Sequence, residues 1–203
     1  MQLRHVMELL SGPWVAEGLE WTSVLLNIGF TIMIGRQLRA GWLLGFFASA
    51  IGVLLYAVEN AWLMGALNGF YAFMGLYGWW TWGRASNAGR VITLSVRDHM
   101  CSIAAGLLGT VLLVVVMNAM EIPGRFLWME AFIASFAIVA TWLMSRKVLE
   151  NWIYWTVGDL VAVVYNHWIG YDGYALLMVV YIILAVVGYI RWHKQLQQDT
   201  AVA

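Results

Sequence analysis

Charge is what this chain has least of. Asp, Glu, Lys and Arg make up 11% of its 203 residues, less than half of the about 25% usual in a soluble domain. An excess of either sign is missing too: 11 basic residues balance 11 acidic ones, which removes the electrostatic case for a nucleic-acid or acidic partner. Cys101 is the only cysteine, so an internal disulfide is impossible and a thiolate-held metal is not expected. No long apolar core follows Arg4 and His5 before Pro13, so the start does not read as a cleaved signal peptide. Neither HExxH nor GxSxG occurs, and His5, His99, His167 and His193 all lie away from mid-span nucleophiles. Hydrolytic chemistry lacks its players, and no enzyme activity, cofactor or metal is expected. What is abundant is apolar surface: 63% hydrophobic residues and a mean hydropathy of +0.76. Only an apolar solvent accommodates that much, so the chain reads as a polytopic α-helical membrane protein.

A helix needs about 20 mostly apolar residues to cross about 30 Å of hydrocarbon. Spans are expected near Trp21–Gly35, Trp42–Val58, Met64–Trp82, Met100–Met120, Phe126–Ser145, Trp152–Trp168 and Tyr174–Trp192. The first is short and can extend outward through Glu17–Glu20. Alternating sides collects Arg36, Arg39, Arg84, Arg90, Arg97, Arg146, Lys147, Arg191 and Lys194 on one face, nine of the 11 basic residues. Basic residues mark cytoplasmic ends, which predicts the N-terminus outside, the C-terminus inside and seven spans. Six would mix the basic loops between faces.

Tryptophans gather at the expected span ends: Trp42, Trp79, Trp80, Trp82, Trp152, Trp155 and Trp192 inside, and Trp21, Trp62, Trp128 and Trp168 outside. Interfacial anchoring is the expected role for most of them. Leu3, Val6, Met7 and Leu10 follow helical spacing before Gly12–Pro13, predicting a short helix on the outer surface.

The sequence repeats itself at an offset of 110 residues: Glu20 falls on Glu130, Arg36 on Arg146, Trp42 on Trp152, Tyr71 on Tyr181, Gly78 on Gly188 and Trp82 on Trp192. Three spans repeat, with one between the copies to restore their orientation. The fold class expected is therefore an all-α membrane protein of about seven transmembrane helices in a 3+1+3 parallel-repeat arrangement. In such folds the substrate usually sits near the midplane at the repeat interface.

Polar residues inside spans are candidates for contact with a ligand, because an ionisable group there costs about 2.5–3.5 kcal/mol on insertion scales. Asp159 lies mid-span, and its repeat mate is Ser49. Trp152, Trp155 and Asp159 at i, i+3 and i+7 share a helical face that could stack an aromatic cation; anchoring explains Trp152 equally well. Asn68 and Tyr71 share another face, suited either to a carboxamide or ribose hydroxyl or to interhelical bonding. Asn27 carries the same two readings. Glu20 and Glu130 sit at equivalent outer ends, as solvated helix ends or as an entrance gate. Gly41–Gly45 and Gly65–Gly69 have small-xxx-small spacing for close helix approach.

Two stretches, Leu67–Trp82 (LNGFYAFMGLYGWWTW) and Thr141–Asp159 (TWLMSRKVLENWIYWTVGD), closely resemble the PnuC family of bacterial vitamin transporters. The matching residues are Tyr77, Gly78, Trp79, Trp80 and Trp82, then Leu143, Met144, Lys147, Glu150, Asn151, Trp152 and Trp155, and the likeness runs from about Trp21 to Trp192. One departure is Glu130, where members often carry Asp. The resemblance implies a SWEET-like fold in a homotrimer in the bacterial inner membrane. It also implies facilitated diffusion of nicotinamide riboside, or of thiamine or riboflavin, trapped by a cytoplasmic kinase that phosphorylates the substrate. The expected organisation is an outer segment (1–20), a first three-helix bundle (21–83), a linker with the fourth helix (84–125), a second bundle (126–194) and a cytoplasmic tail (195–203). A structural membrane scaffold is the alternative of a different class.

Overall fold

A computed structural model describes residues 12–58, 62–84, 90–122 and 124–202 of the chain; the surface helix expected over Leu3–Leu10 lies outside them. The described residues form seven helices: α1 (Pro13–Gly35), α2 (Gly41–Val58), α3 (Trp62–Trp82), α4 (Val96–Ala119), α5 (Leu127–Ser145), α6 (Asn151–Trp168) and α7 (Asp172–Val202). They divide into two compact units, residues 1–88 and 89–203.

Five helices (α1, α2, α4, α5 and α7) are long and apolar enough to cross a bilayer. The other two, α3 and α6, have 21 and 18 residues, about 32 and 27 Å at 1.5 Å per residue, and fall short in hydropathy alone. Indole, phenol, amide and carboxyl groups dilute them, including Asn68 and Tyr71 in α3 and Asp159 in α6. The two least apolar helices are the two that carry the motif stretches.

In the first unit, α2 packs between α1 and α3. Cβ atoms added at Gly41 and Gly45 would collide with Met33 and Phe30 of α1, so this pair brings two backbones together as expected. Gly65 and Gly69 do not: the nearest side chain to Gly65 is at 3.8 Å, and Gly69 faces nothing within 4 Å. On its other side α2 meets α3 where a Cβ at Gly78 would overlap the Trp42 indole. Trp42 also packs edge-on against Trp82, centroids 5.6 Å apart at 83°.

The second unit rebuilds that arrangement. Trp152 of α6 covers Gly188 of α7 and meets Trp192 edge-on at 5.4 Å and 85°. Trp42, Trp82, Trp152 and Trp192 are therefore core residues and not interfacial anchors; each is at most 6% exposed. They lie at helix ends, as the anchoring reading needs, but the glycine on the neighbouring helix opens a slot that takes the ring inward. Trp21, Trp80, Trp128 and Trp168 are more than half exposed, as anchors should be.

The repeat extends to the backbone. Helices α1 and α5 end at Gly35 and Ser145, α2 and α6 span Gly41–Val58 and Asn151–Trp168, and α3 and α7 begin at Trp62 and Asp172, all 110 residues apart. Both first helices close in the same C-cap. Leu38 N–H reaches the Met33 carbonyl and Gln37 N–H the Ile34 carbonyl; Val148 reaches Leu143 and Lys147 reaches Met144 in the same pattern. This is a Schellman turn, whose C′ residue is left-handed and usually glycine. Here Gln37 (φ 56°) and Lys147 (φ 57°) occupy it. Glu121 (φ 53°) and Gly170 (φ 86°) close α4 and α6 in the same way.

Three boundaries differ from expectation. Helix α1 begins at Pro13, with Gly12 as N-cap, because proline suits a helix's first position; part of the outer segment thus continues the first span. Helix α7 runs through the expected tail to Val202. The fourth helix is no linker: α4 packs on α5 within the second unit. A Cβ at Gly106 would strike the Phe136 ring, and Ser135 Oγ donates to the Gly106 carbonyl at 2.8 Å.

Candidate functional site

Seven residues beyond the paired tryptophans, the middle helix of each unit buries one polar side chain: Ser49 on α2 (5% exposed) and Asp159 on α6 (9%). Helical geometry sets them there. On α2, Gly45 and Ala48 turn toward α1 and Trp42 and Phe46 toward α3, which aims Ser49 between the two neighbours. Asp159 holds the equivalent position on α6. None of the described residues donates a hydrogen bond to its carboxylate, and Tyr181 of α7, the repeat mate of Tyr71, lies within its electrostatic reach.

Trp155, one turn before Asp159, packs against the cluster of Phe136, Ala140, Leu143, Val148 and Tyr154. Its indole Nε1 is buried without a partner among the described residues. Indole N–H groups normally find an acceptor when buried. A carboxylate and an unused donor therefore share one face of α6. Trp152, expected beside them as a stacking surface, is turned away into the Gly188 slot; at 1% exposure it positions α6 against α7.

In the first unit Asn68 lies directly over Gly52 of α2 and donates through Nδ2 to the Met64 carbonyl at 3.0 Å. Tyr71, one turn on, tilts against Phe70 at 5.8 Å. Asn27 falls on the α1 stripe with Ser23 and Phe30, between the Ser23–Ala48 hydrogen bond and the Phe30–Gly45 contact. All four candidates of this unit, Asn27, Ser49, Asn68 and Tyr71, are at least partly buried.

The two glutamates at equivalent outer ends differ. Glu20 is exposed, whereas Glu130 accepts from the Tyr165 hydroxyl at 3.0 Å and from the Phe126 N–H at 3.4 Å. Glu130 thus ties the start of α5 to α6. The difference follows from sequence: the repeat mate of Tyr165 is Leu55, which has no hydroxyl to give.

One group of functional-looking residues has no counterpart in the sequence reading. Residues 90–95 run extended beside the α5–α6 turn: Ile92 N–H donates to Lys147 O at 3.1 Å, Leu149 N–H to Ile92 O at 2.8 Å, and Leu94 N–H to Glu150 Oε2 at 3.1 Å. His99 stacks on Tyr154 (9° between rings), with Nδ1 3.2 Å from its hydroxyl and Nε2 3.9 Å from Glu150 Oε1. Burial at this turn pushes the Lys147 ammonium below its ordinary pKa. Glu150 and Lys147 belong to a motif stretch, but His99 is more than 50 residues away in sequence, and no local pattern connects them.

Together these features define a class: a multi-pass α-helical membrane protein built from repeated three-helix sets, with buried polar positions on the middle helices, which is the construction of a small-molecule transporter. Residues 17–194 match the family model described as nicotinamide mononucleotide transporter, and the chain belongs to that family, whose activity is transport and not catalysis. It is 27% identical over 190 residues to the riboflavin/roseoflavin transporter RibM of Streptomyces davaonensis, covering 89% of this chain and 88% of that one. The crystal structure of the vitamin B3 transporter PnuC shares the fold, with a TM-score of 0.72 and 18% identity over 97% of this chain and 88% of that one.

Proposed function

We propose that this protein takes up nicotinamide riboside by facilitated diffusion across a bacterial inner membrane, with the N-terminus outside and the C-terminus cytoplasmic. The observation that carries the proposal is the α6 face, where the Asp159 carboxylate lies beside Trp155 and Tyr181 with no hydrogen-bond donor of its own. A buried carboxylate within a span calls for a partner. A pyridinium ring supplies positive charge and a flat surface at once, and cation–π attraction strengthens when both groups are desolvated. Under this reading a cytoplasmic kinase traps the substrate by phosphorylating it, and the protein works as a homotrimer.

Calorimetry on the purified protein tests the assignment with nicotinamide riboside, thiamine and riboflavin in parallel. Asp159→Asn keeps the shape and removes the charge, so riboside affinity is expected to fall about 10-fold, as for loss of a charge-assisted hydrogen bond worth about 1.5–3 kcal/mol. Riboside binding that is unchanged in the variant would show that the carboxylate serves the fold and not the ligand. Riboflavin is the second reading, favoured by the likeness to RibM. Its ring system is uncharged, so binding of riboflavin alone, indifferent to Asp159→Asn, would replace the first reading with the second.

A further inference from the structure

The end of the first unit opposite Glu17 and Glu20 carries Arg36, Arg39 and Arg84 and no acidic residue, since none occurs between Glu20 and Glu59 or between Glu59 and Asp98. Two of these cations are held on the last turn of α3. Arg39 stacks over the Trp79 ring at 3.8 Å and donates through Nε to the Trp79 carbonyl at 2.5 Å. Its guanidinium fills the space above Gly83, where any Cβ would displace it. Arg84 lies over the Trp80 ring at 3.5 Å.

Each guanidinium thus uses its flat face on an indole, while its in-plane N–H groups find no carboxylate among the described residues. A planar fork with free edges matches a phosphate. Trp80 is 52% exposed at a helix end, the level at which tryptophans meet lipid headgroups. We propose that Arg39 and Arg84, mounted on Trp79 and Trp80, seat the phosphate of an anionic phospholipid of the cytoplasmic leaflet. Acyl chains would run along the exposed side of α3, past Leu76 and Phe73, both about half exposed or more. That continuity of exposed apolar surface with the cationic end favours a lipid phosphate over a free one.

The full-length protein in neutral detergent, titrated with phosphatidylglycerol, phosphatidylcholine or inorganic phosphate and followed by native mass spectrometry, tests this. Phosphatidylglycerol is expected to bind and phosphatidylcholine to bind at least about 10-fold more weakly. Arg84→Gln should weaken phosphatidylglycerol about fivefold, the equivalent of about 1 kcal/mol per basic residue at an anionic leaflet. Arg125→Gln, away from this end, should leave binding unchanged. Arg84 is exposed, so its replacement does not endanger folding, and the comparison of lipids needs no variant. Equal binding of the two lipids, an unchanged Arg84→Gln, or an equal loss in Arg125→Gln overturns the proposal. Displacement of phosphatidylglycerol by equimolar inorganic phosphate overturns it in favour of a soluble phosphate.

Discussion

Gly52 shows how a single hydrogen atom positions a candidate contact residue. The Asn68 carboxamide occupies the volume a side chain at 52 would need, and its tether to the Met64 carbonyl limits how far it can swing. Gly52→Ala should therefore destabilise by about 1–3 kcal/mol, the range for overpacking a close contact, read as a lower melting temperature in detergent. Asn68→Ala in the same chain should recover most of that loss. If the double variant is no more stable than Gly52→Ala alone, the amide is not what resists the new methyl group. At this scale the sequence was half legible. Composition and spacing were enough to single out Asn68 and Asp159, because polar groups are rare in these spans. The neighbours they meet were not readable, since Gly52 and Tyr181 acquire meaning only when helices pack. Trp152 misled for the same reason, as its position along the helix fits an anchor while its direction does not.

Among the elements, the helix ends depart most from what a sequence advertises. Four described helices close in Schellman turns, yet only α6 places glycine at the left-handed position. Gln37, Glu121 and Lys147 each sit where an L side chain costs about 1–2 kcal/mol, and the hydrogen-bonded turn holds them there. Gln37→Gly should raise stability by about 1 kcal/mol, or about 2–4 °C in melting temperature for a protein of this size. A melting temperature that stays level would mean that the half-buried Gln37 side chain offsets the strain. Turn chemistry without glycine gave no signal to read. The span cores did: predicted and observed boundaries agree closely for α2 to α6, because apolar run length reports directly on the helix interior. The ends of α1 and α7 extended beyond expectation because propensity continues past the hydrocarbon.

For the whole molecule, the unit boundary near residue 88 assigns α4 to the second half. A polypeptide of residues 89–203 should insert and melt cooperatively, because it contains its own core, with Trp152 and Trp192 shielded and Phe136 packed over Gly106. Removing α4 as well, leaving residues 124–203, should abolish the cooperative transition by stripping Phe136 and Ser135 of their partners. Circular dichroism in micelles distinguishes the two; equal cooperativity in both fragments would make α4 the linker that sequence suggested. The three-helix repeat itself was legible at 110 residues, since charged and aromatic matches stand out on an apolar background. Membership of the fourth helix was not, because nothing in its composition says which neighbour it prefers.

The Trp–Gly slots also bear on how such a chain can change over generations. A ring at 42 or 152 and the empty place at 78 or 188 form a matched set, so a lineage cannot enlarge one without shrinking the other. A gene duplication hands down both members together, and both copies still hold theirs. Position 49 and its counterpart 159 carry no such mutual obligation, and there the copies have parted into serine and aspartate. The inherited scaffold confines divergence to the places where it can alter what the molecule carries.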